Sequence, residues 1–376
     1  MIKKLLFVTG LLFSTALMAC SNREEPDVTE QEEPAITEEF RSVIDHNGNE
    51  IELPYEINRI AIVSPWPLAS VYALFAGSGE GIVAVHPSIQ SAAQHSFLDL
   101  VAPEITVANT GWVQGTDINI EELMLLEPDV VFISANNEIH YELLKNAGIP
   151  AVAFSPTIAN WNTIETVSAW LELLGDVFDE PIKADELTTY AREVEAMILE
   201  TTSQVQEKYR PTALILMRYD ENQMQVVGPS HFGQYWLNAA GAVNVAEELT
   251  EGLAVVSMEQ VLEWNPDILF ITNFSPVLAE DFEDGLVFED DWSTVEAVIN
   301  GRVYKFPMGM YRWYPATSDA SLTLRWMAGI VHPDLFSDMD LQEEIANFYE
   351  RFYGITLTDE DIHRMMNPPR EAAAGS

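Results

Sequence analysis

Two stretches of the chain, one in each half, carry the same pattern of residues. The first runs from Glu121 to Ser134 and the second from Glu259 to Thr272. Each has helical spacing, then a Pro-Asp pair, then an apolar run, which is typical of a helix, a turn and a buried strand. The pattern predicts two lobes of like topology, each holding this unit at the same place. The alternative is a chance likeness between two ordinary helix–strand units.

Strand and helix patterns alternate along the body of the chain, which is typical of βαβ units and parallel sheets. The pattern changes between 162 and 208, where 163–174 and 184–207 both have helical spacing and the second is long enough to connect two lobes. We therefore predict an α/β fold of two Rossmann-like lobes with parallel-rich sheets, joined by a single long connector helix. Strands are predicted at 59–64, 81–85, 130–134, 151–154, 213–217, 225–227, 268–272 and 303–306, and further helices at 68–76, 120–126, 141–146, 232–240, 318–331 and 341–353.

The amino terminus has the pattern of an export signal. Lys3 and Lys4 precede an apolar run up to Met18, which is too short to cross a hydrocarbon core of about 30 Å. Cys20 is the only cysteine and directly follows Ala19, a pattern that resembles the lipobox of bacterial lipoproteins. The resemblance implies cleavage before Cys20, diacylation of its thiol and a lipid anchor outside the cytoplasm. The alternative is a buried thiol without a role.

Residues 21–39 are dominated by acidic residues and proline, so they predict a flexible, extended tether. The remaining length suits two lobes rather than one small core. The predicted domains are a signal peptide at 1–19, a tether at 20–40, an N-terminal lobe at 41–165, connector helices at 166–208, a C-terminal lobe at 209–335, a C-terminal helix at 336–367 and a disordered tail at 368–376.

The composition argues against several classes of function. With 18 Lys and Arg against 60 Asp and Glu, the net charge of −42 disfavours a nucleic-acid partner and indicates a solvated acidic surface. The motifs of serine hydrolases, zinc proteases and nucleotide-binding loops do not occur, and the seven histidines form no pair at metal-ligand spacing. We predict a binding protein without catalytic residues, cofactor or resident metal. An exported hydrolase and a ligand sensor are the alternatives.

Five stretches follow one another in a characteristic order: 40–54 (an opening hairpin), 59–65 and 73–85 (strand, helix, strand), 120–129 (a helix-to-strand turn) and 341–358 (a C-terminal helix). Their order resembles a family of solute-binding proteins of ABC importers, those for ferric siderophores, haem and cobalamin. The resemblance implies a monomer that binds a solute between two lobes with a small closing motion and delivers it to a permease dimer with its ATPase. It also implies that one surface glutamate per lobe docks on permease arginines, and the matching positions are Glu121 and Glu259. Either could instead be an ordinary helix-start glutamate.

Candidate solute contacts lie in loops that follow predicted strands, where open α/β sheets bind ligands. Arginine forks suit carboxylate or catecholate oxygens, and aromatic rings suit planar faces. We therefore predict an iron complex, a ferric siderophore in the first place, with cobalamin, haem and a nickel or cobalt chelate as alternatives. Packing between lobes, a structural carboxylate for each arginine and a structural histidine are the competing explanations. The candidate residues are Trp66, Trp112, Arg218, Tyr219, His231, Tyr311, Arg312 and Trp313.

Overall fold

The computed structural model describes residues 40–114 and 117–373, except for the side chain of Gln114. The predicted signal peptide, Cys20 and all of the tether except Phe40 lie outside these residues. The first half of the chain consists of β1 (Phe40–Ile44), β2 (Glu50–Pro54), β3 (Ile60–Ile62), α1 (Leu68–Ala76), β4 (Ile82–Val85), α2 (Pro87–Ala93), α3 (Leu98–Val101), α4 (Glu104–Val107), β5 (Val113–Gln114), β6 (Asp117–Ile118), α5 (Ile120–Met124), β7 (Val130–Ser134), α6 (Glu138–Asn146), β8 (Ala151–Phe154), α7 (Thr163–Phe178) and α8 (Pro181–Thr202).

The second half continues the alternation of strands and helices. It consists of β9 (Thr212–Tyr219), β10 (Met224–Val227), α9 (Phe232–Ala240), β11 (Val243–Asn244), β12 (Leu253–Val255), α10 (Met258–Trp264), β13 (Ile268–Ile271), β14 (Leu286–Val287), β15 (Asp290–Asp291), α11 (Glu296–Ile299), β16 (Val303–Lys305), α12 (Ala320–Val331), α13 (Leu341–Tyr353) and α14 (Asp359–Met366).

Each half builds one main sheet. The N-terminal sheet has four parallel strands in the order β4-β3-β7-β8. The C-terminal sheet has the order β12-β10-β9-β13-β16, in which β9, β13 and β16 are parallel and β10 is antiparallel to both of its neighbours. Strand β11 also pairs with β9 in parallel. The prediction of an α/β fold with parallel-rich sheets in two lobes is confirmed.

Both sheets are covered on two faces, because successive residues of a strand point to opposite sides. On β7, Val130 and Phe132 face the large central core, whereas Val131 and Ile133 face an outer cluster of the first lobe. On β9, Ala213 and Ile215 join the same central core, and Leu214 and Leu216 face an outer cluster of the second lobe. The central core also contains Trp170 of α7 and Ile198 of α8. The two lobes therefore share one hydrophobic core through the connector.

The connector α8 has 22 residues, a length of about 33 Å. It begins with Pro181, which is favourable at the first helical position, so it starts earlier than predicted, and it ends at Thr202 rather than at 207. It packs on α1 and α7 of the first lobe and on α9 and α12 of the second. Glu195 on α8 accepts hydrogen bonds from Asn162 Nδ2 (2.9 Å) and Tyr235 Oη (2.8 Å), which join the two sides.

The carboxyl terminus differs from the prediction in two ways. The expected single C-terminal helix is split into α13 and α14, because Gly354 takes a left-handed conformation that ends α13 and Thr358 caps α14. Residues 370–373, expected within a disordered tail, form a 3₁₀ turn. Arg370 makes a bidentate ion pair with Asp281 at 2.7 and 2.8 Å, and Ala372 is buried. These contacts hold this part of the tail on the second lobe.

Candidate ligand-binding site

A cavity of about 650 Å³ opens at the carboxyl ends of the N-terminal strands. Val63 and Ser64 follow β3, His86 follows β4, and Ser134 ends β7. Because ligands of open α/β sheets bind at this edge, the topology itself favours the position. The lining residues are Val63, Ser64, Pro65, Trp66, His86, Trp112, Val113, Asp117, Ser134, Asn136, Asn137 and His140.

Three rings form a row along the cavity. The indole of Trp66 stacks on the imidazole of His86 with the ring centres 4.8 Å apart, and the edge of His86 meets Trp112 at 6.3 Å. Trp112 is buried, and its Nε1 donates to the carbonyl of Asn109 at 3.1 Å. Trp66 is only half-buried. Trp112 is therefore the firmly held ring of the row, and Trp66 is the ring that is partly exposed.

Several polar side chains that line the cavity are held by hydrogen bonds to the backbone. Ser64 Oγ accepts from Ser134 N–H at 2.8 Å. Asn137 caps α6 by accepting from His140 N–H at 3.0 Å, and its Nδ2 lies 2.9 Å from His140 Nδ1. His86 caps α2 in the same manner, since Ser88 N–H donates to its Nδ1 at 3.1 Å. Burial lowers the pKa of His86 below its usual value, so its ring is neutral at pH 7.

The second lobe approaches this cavity at Trp66. Met308 and Tyr311 pack with Ala92 of α2, and Trp66 lies against the same cluster. Nearby, Phe97 N–H donates to the carbonyl of Gly309 at 2.9 Å, a direct bond between the lobes. The cavity therefore lies beside the contact between the two lobes.

Three of the predicted contacts from the second lobe are fully buried: Tyr311, Arg312 and Trp313. The guanidinium of Arg312 donates to the carbonyls of Asn273 (3.2 Å) and Ala372 (3.0 Å) and to Tyr311 Oη (3.1 Å). These three side chains, predicted as solute contacts, are therefore enclosed by the protein in this structure. Two acceptors of the Arg312 guanidinium are backbone carbonyls. Of the three residues, Tyr311 is the one that packs with Trp66.

His231 lies in a stack of rings. It sits between Trp161, with ring centres 5.2 Å apart, and Tyr314, at 5.5 Å, and its Nδ1 is hydrogen-bonded to Tyr314 Oη. Burial lowers the pKa of His231 to about 4. His231 is not among the residues that line the cavity. Its position favours the structural explanation over a solute contact.

Arg218 and Tyr219 are neighbours on β9 and point to opposite sides. Tyr219 is buried, and its hydroxyl donates to Asp290 at 2.7 Å and accepts from Trp292 Nε1 at 3.2 Å. Burial, with Asp290 beside it, raises the pKa of Tyr219. Tyr219 therefore packs in the core of the second lobe, and it lines a cavity of that lobe rather than the cavity beside Trp66. Arg218 is half-buried and pairs across the sheet with Gln225, away from the residues lining the cavity.

A second cavity of about 680 Å³ lies in the C-terminal lobe. Although it is slightly larger, five carboxylates line it and would repel an anionic solute. It has no stacked pair of rings comparable to Trp66 and His86 among its lining residues. The cavity of the first lobe is therefore the candidate solute site. The five carboxylates belong to Asp220, Glu221, Glu259, Glu289 and Asp290.

Glu121 and Glu259 are both exposed in the first turn of a short helix, α5 and α10 respectively. A hydrogen bond from Ser257 lowers the pKa of Glu259, which keeps its carboxylate charged. The two residues are thus like charges at like positions of the two lobes.

Sequence reasoning missed His86, Asn137 and His140. His86 and Asn137 lie in loops after strands and His140 lies in the first turn of α6, and a lone polar residue at such a place carries no spacing signal. The loop rule that selected Trp66 would have found His86, which directly follows the predicted strand 81–85.

Residues 60–308 match the family model described as periplasmic binding protein. The molybdate-binding protein MolA of Haemophilus influenzae is 26% identical over 345 residues, which cover 86% of this chain and 94% of MolA. A periplasmic solute-binding protein of Veillonella parvula has a similar crystal structure, with a TM-score of 0.78, 33% identity and coverage of 87% of this chain and 97% of that one. The nickel–histidine complex of Helicobacter pylori CeuE has the same fold, with a TM-score of 0.66, 20% identity and coverage of 87% and 99%.

The fold and the cavity define a two-lobed extracytoplasmic solute-binding protein. The chain belongs to the periplasmic binding protein family. It is the solute-binding component of an ABC transporter and not an enzyme, and what such proteins hold is a transported ligand rather than a cofactor. Within the part that the structure describes, no helix is long and apolar enough to cross a membrane.

Proposed function

We propose that this protein captures an anionic, oxygen-rich metal complex, a ferric siderophore in the first place, and delivers it to the permease of an ABC importer. The observation that carries the proposal is the row of rings Trp66, His86 and Trp112 along a cavity of about 650 Å³. Pockets of roughly 300–1,000 Å³ lined by aromatic side chains suit small organic ligands. A chelate with catecholate rings offers both flat faces for the indoles and oxygens for the polar side of the cavity.

Molybdate is the second candidate. The similarity to the molybdate-binding protein of H. influenzae favours it, and so do the histidine and amide groups of the cavity, which can donate to an oxyanion. Molybdate has only five atoms, however, so it would leave most of the cavity to water. The likenesses to the nickel–histidine complex and to a haem-binding protein of Pseudomonas aeruginosa, at 20% and 17% identity, support the fold alone.

Tryptophan fluorescence tests the proposal, because Trp66 and Trp112 line the cavity. The purified protein is titrated with ferric catecholate, hydroxamate and citrate chelates, molybdate, cobalamin, haem and nickel–histidine. We expect a ferric chelate to quench the fluorescence with a dissociation constant below about 10 μM. Tight binding of molybdate alone would establish the second candidate. If no member of the panel binds, the uptake function is contradicted.

The site of action follows from the same proposal. Diacylation of Cys20 would hold the protein at the outer side of a membrane, and the acidic tether would let the two lobes turn toward the permease. The lobes would dock through Glu121 and Glu259, one on each half of the permease. Fractionation of cells tests the anchor: the native chain should be found with the membranes, and a Cys20→Ser variant should not. Equal distribution of the two would remove the lipid anchor from the account.

A further inference from the structure

The imidazole of His86 is fixed as a hydrogen-bond donor. A neutral imidazole has one N–H and one lone pair, on different nitrogens. The backbone N–H of Ser88 donates to His86 Nδ1 at 3.1 Å, so the lone pair is on Nδ1 and the hydrogen is on Nε2. Trp66 stacks on one face of the ring and holds its plane, and the bond from Ser88 fixes which nitrogen faces α2. His86 therefore offers an N–H group to a solute, and no free lone pair.

His140, on the same cavity, has the same tautomer. The amide of Asn137 is oriented by His140 N–H, which donates to its Oδ1 at 3.0 Å. The NH₂ group of that amide then faces His140 Nδ1 at 2.9 Å and donates to it. Nδ1 of His140 is thus the acceptor, which places a ring hydrogen on Nε2 here as well.

A histidine binds a metal ion through the lone pair of a neutral ring nitrogen. In both cavity histidines that lone pair is already used by an N–H donor of the protein. Among the residues that the structure describes, no three His, Cys, Asp or Glu side chains come together to hold a metal ion. These observations favour recognition of the solute through its outer atoms and not through a bond from a protein side chain to the metal.

We infer that the cavity binds a coordinatively saturated metal anion through its oxygen atoms, with His86 Nε2–H as a fixed donor, and that no side chain of the cavity bonds to the metal. This inference rests on the proposed function and narrows its solute class. It covers a hexadentate ferric chelate and molybdate alike. It disfavours complexes that need a protein ligand to complete their coordination, such as a tetradentate ferric chelate or a bare nickel ion.

The tautomer is measured first, in the solute-free protein. Long-range ¹H–¹⁵N NMR of the histidine rings distinguishes a protonated Nε2 from a protonated Nδ1, and a His86→Asn variant assigns the signal. We expect the Nε2–H form of His86 at pH 7. A protonated Nδ1 would overturn the inference whether or not any solute is known.

Binding is measured next, with four probes: the ferric complexes of a hexadentate and a tetradentate catecholate, sodium molybdate, and Ni²⁺ alone. We expect the hexadentate complex to bind at least as tightly as the tetradentate one. The charge-transfer absorption of the tetradentate complex should not shift when it binds. His86→Phe keeps an aromatic ring, and His86→Asn keeps a capping group for Ser88. Since both lack Nε2–H, both should weaken binding of the saturated anion by about tenfold.

A shift of the charge-transfer band that disappears in His86→Phe or in His140→Phe would show an imidazole–iron bond and overturn the inference. Tight binding of Ni²⁺ alone that His86→Phe abolishes would do the same. In the first case the ferric chelate still binds, so the proposed function would stand. If neither the hexadentate complex nor molybdate binds, the inference is overturned even when the NMR result is as expected, whereas the proposed function stands if another chelate of the panel binds.

Discussion

Asp129 and Asp267 accept equivalent hydrogen bonds at the starts of equivalent strands in the two lobes. Asp129 Oδ2 accepts from the backbone N–H groups of Asn58 (2.7 Å) and Arg59 (2.8 Å), just before β3. Asp267 Oδ2 accepts from the N–H (2.8 Å) and the hydroxyl (2.9 Å) of Thr212, at the start of β9. In each lobe the carboxylate belongs to the Pro-Asp pair before the next parallel strand, so the sequence repeat is a structural repeat.

The matched carboxylates predict matched losses of stability. Asp129→Ala and Asp267→Ala each leave two donors without their acceptor, so each should lower the free energy of unfolding by about 1–3 kcal/mol. The corresponding Asn variants keep one carbonyl oxygen and should lose less. Urea denaturation measures all four variants. A large loss in one lobe with none in the other would show that the two units are not equivalent.

The preceding helices of the same units carry Glu121 and Glu259, which we propose as docking residues. The double variant Glu121→Ala/Glu259→Ala should bind solute with unchanged affinity but support little uptake in cells. The matched control is Glu122→Ala/Glu263→Ala, which removes two exposed charges from the same helices. Equal uptake by the two double variants would mean that Glu121 and Glu259 have no special part in docking.

Gly309, whose carbonyl accepts from Phe97 N–H of the first lobe, has no room for a side chain. A Cβ atom there would lie 2.4 Å from Asp319 Oδ2, 2.4 Å from Trp313 Nε1 and 2.7 Å from Tyr349 Oη. Gly309→Ala should therefore lower the free energy of unfolding by about 1–3 kcal/mol. Gly329→Ala in α12 is the control, because its Cβ would meet only the flexible end of Met339 at 3.4 Å. Thermal unfolding compares them, and an unaffected Gly309→Ala would show that the loop can move aside.

The lowered pKa of His231 predicts that the free energy of unfolding depends on pH. Its pKa falls from 6.5 to about 4 because the ring is buried, so between these values the unfolded chain binds a proton that the folded protein does not. The stabilisation is complete above pH 6.5 and is lost as the pH falls toward 4, with a slope of up to about 1.4 kcal/mol per pH unit. Urea denaturation of the native protein and of His231→Phe should give curves that converge on acidification. Parallel curves would contradict the shift.

Much of the fold could be predicted because its elements are strongly periodic. The predicted strands at 130–134 and 151–154 and the helices at 68–76, 232–240 and 341–353 coincide with β7, β8, α1, α9 and α13. The short helices α2, α3 and α4 were missed, since four to seven residues give too little periodicity.

The site was harder to predict than the fold. Trp66 and Trp112 do line the cavity, because both lie in loops at the correct edge of the first sheet. The scarcity of cationic residues in this chain favours Arg312 as a solute contact, but scarcity does not show what surrounds a side chain. Its acceptors include the carbonyl of Ala372, which is distant in sequence and comes close only through the folding of the tail.

The central claim is that the solute occupies the cavity of the first lobe, which is lined by Trp66, His86 and Trp112. Isothermal titration calorimetry of the tightest solute from the panel, with Trp66→Ala and Phe288→Ala, tests it most directly, since Phe288 lines the acidic cavity of the other lobe. The account predicts that Trp66→Ala weakens binding about tenfold or more, through the loss of a stacked ring, and that Phe288→Ala leaves it unchanged. Normal affinity in Trp66→Ala together with a loss in Phe288→Ala would contradict it.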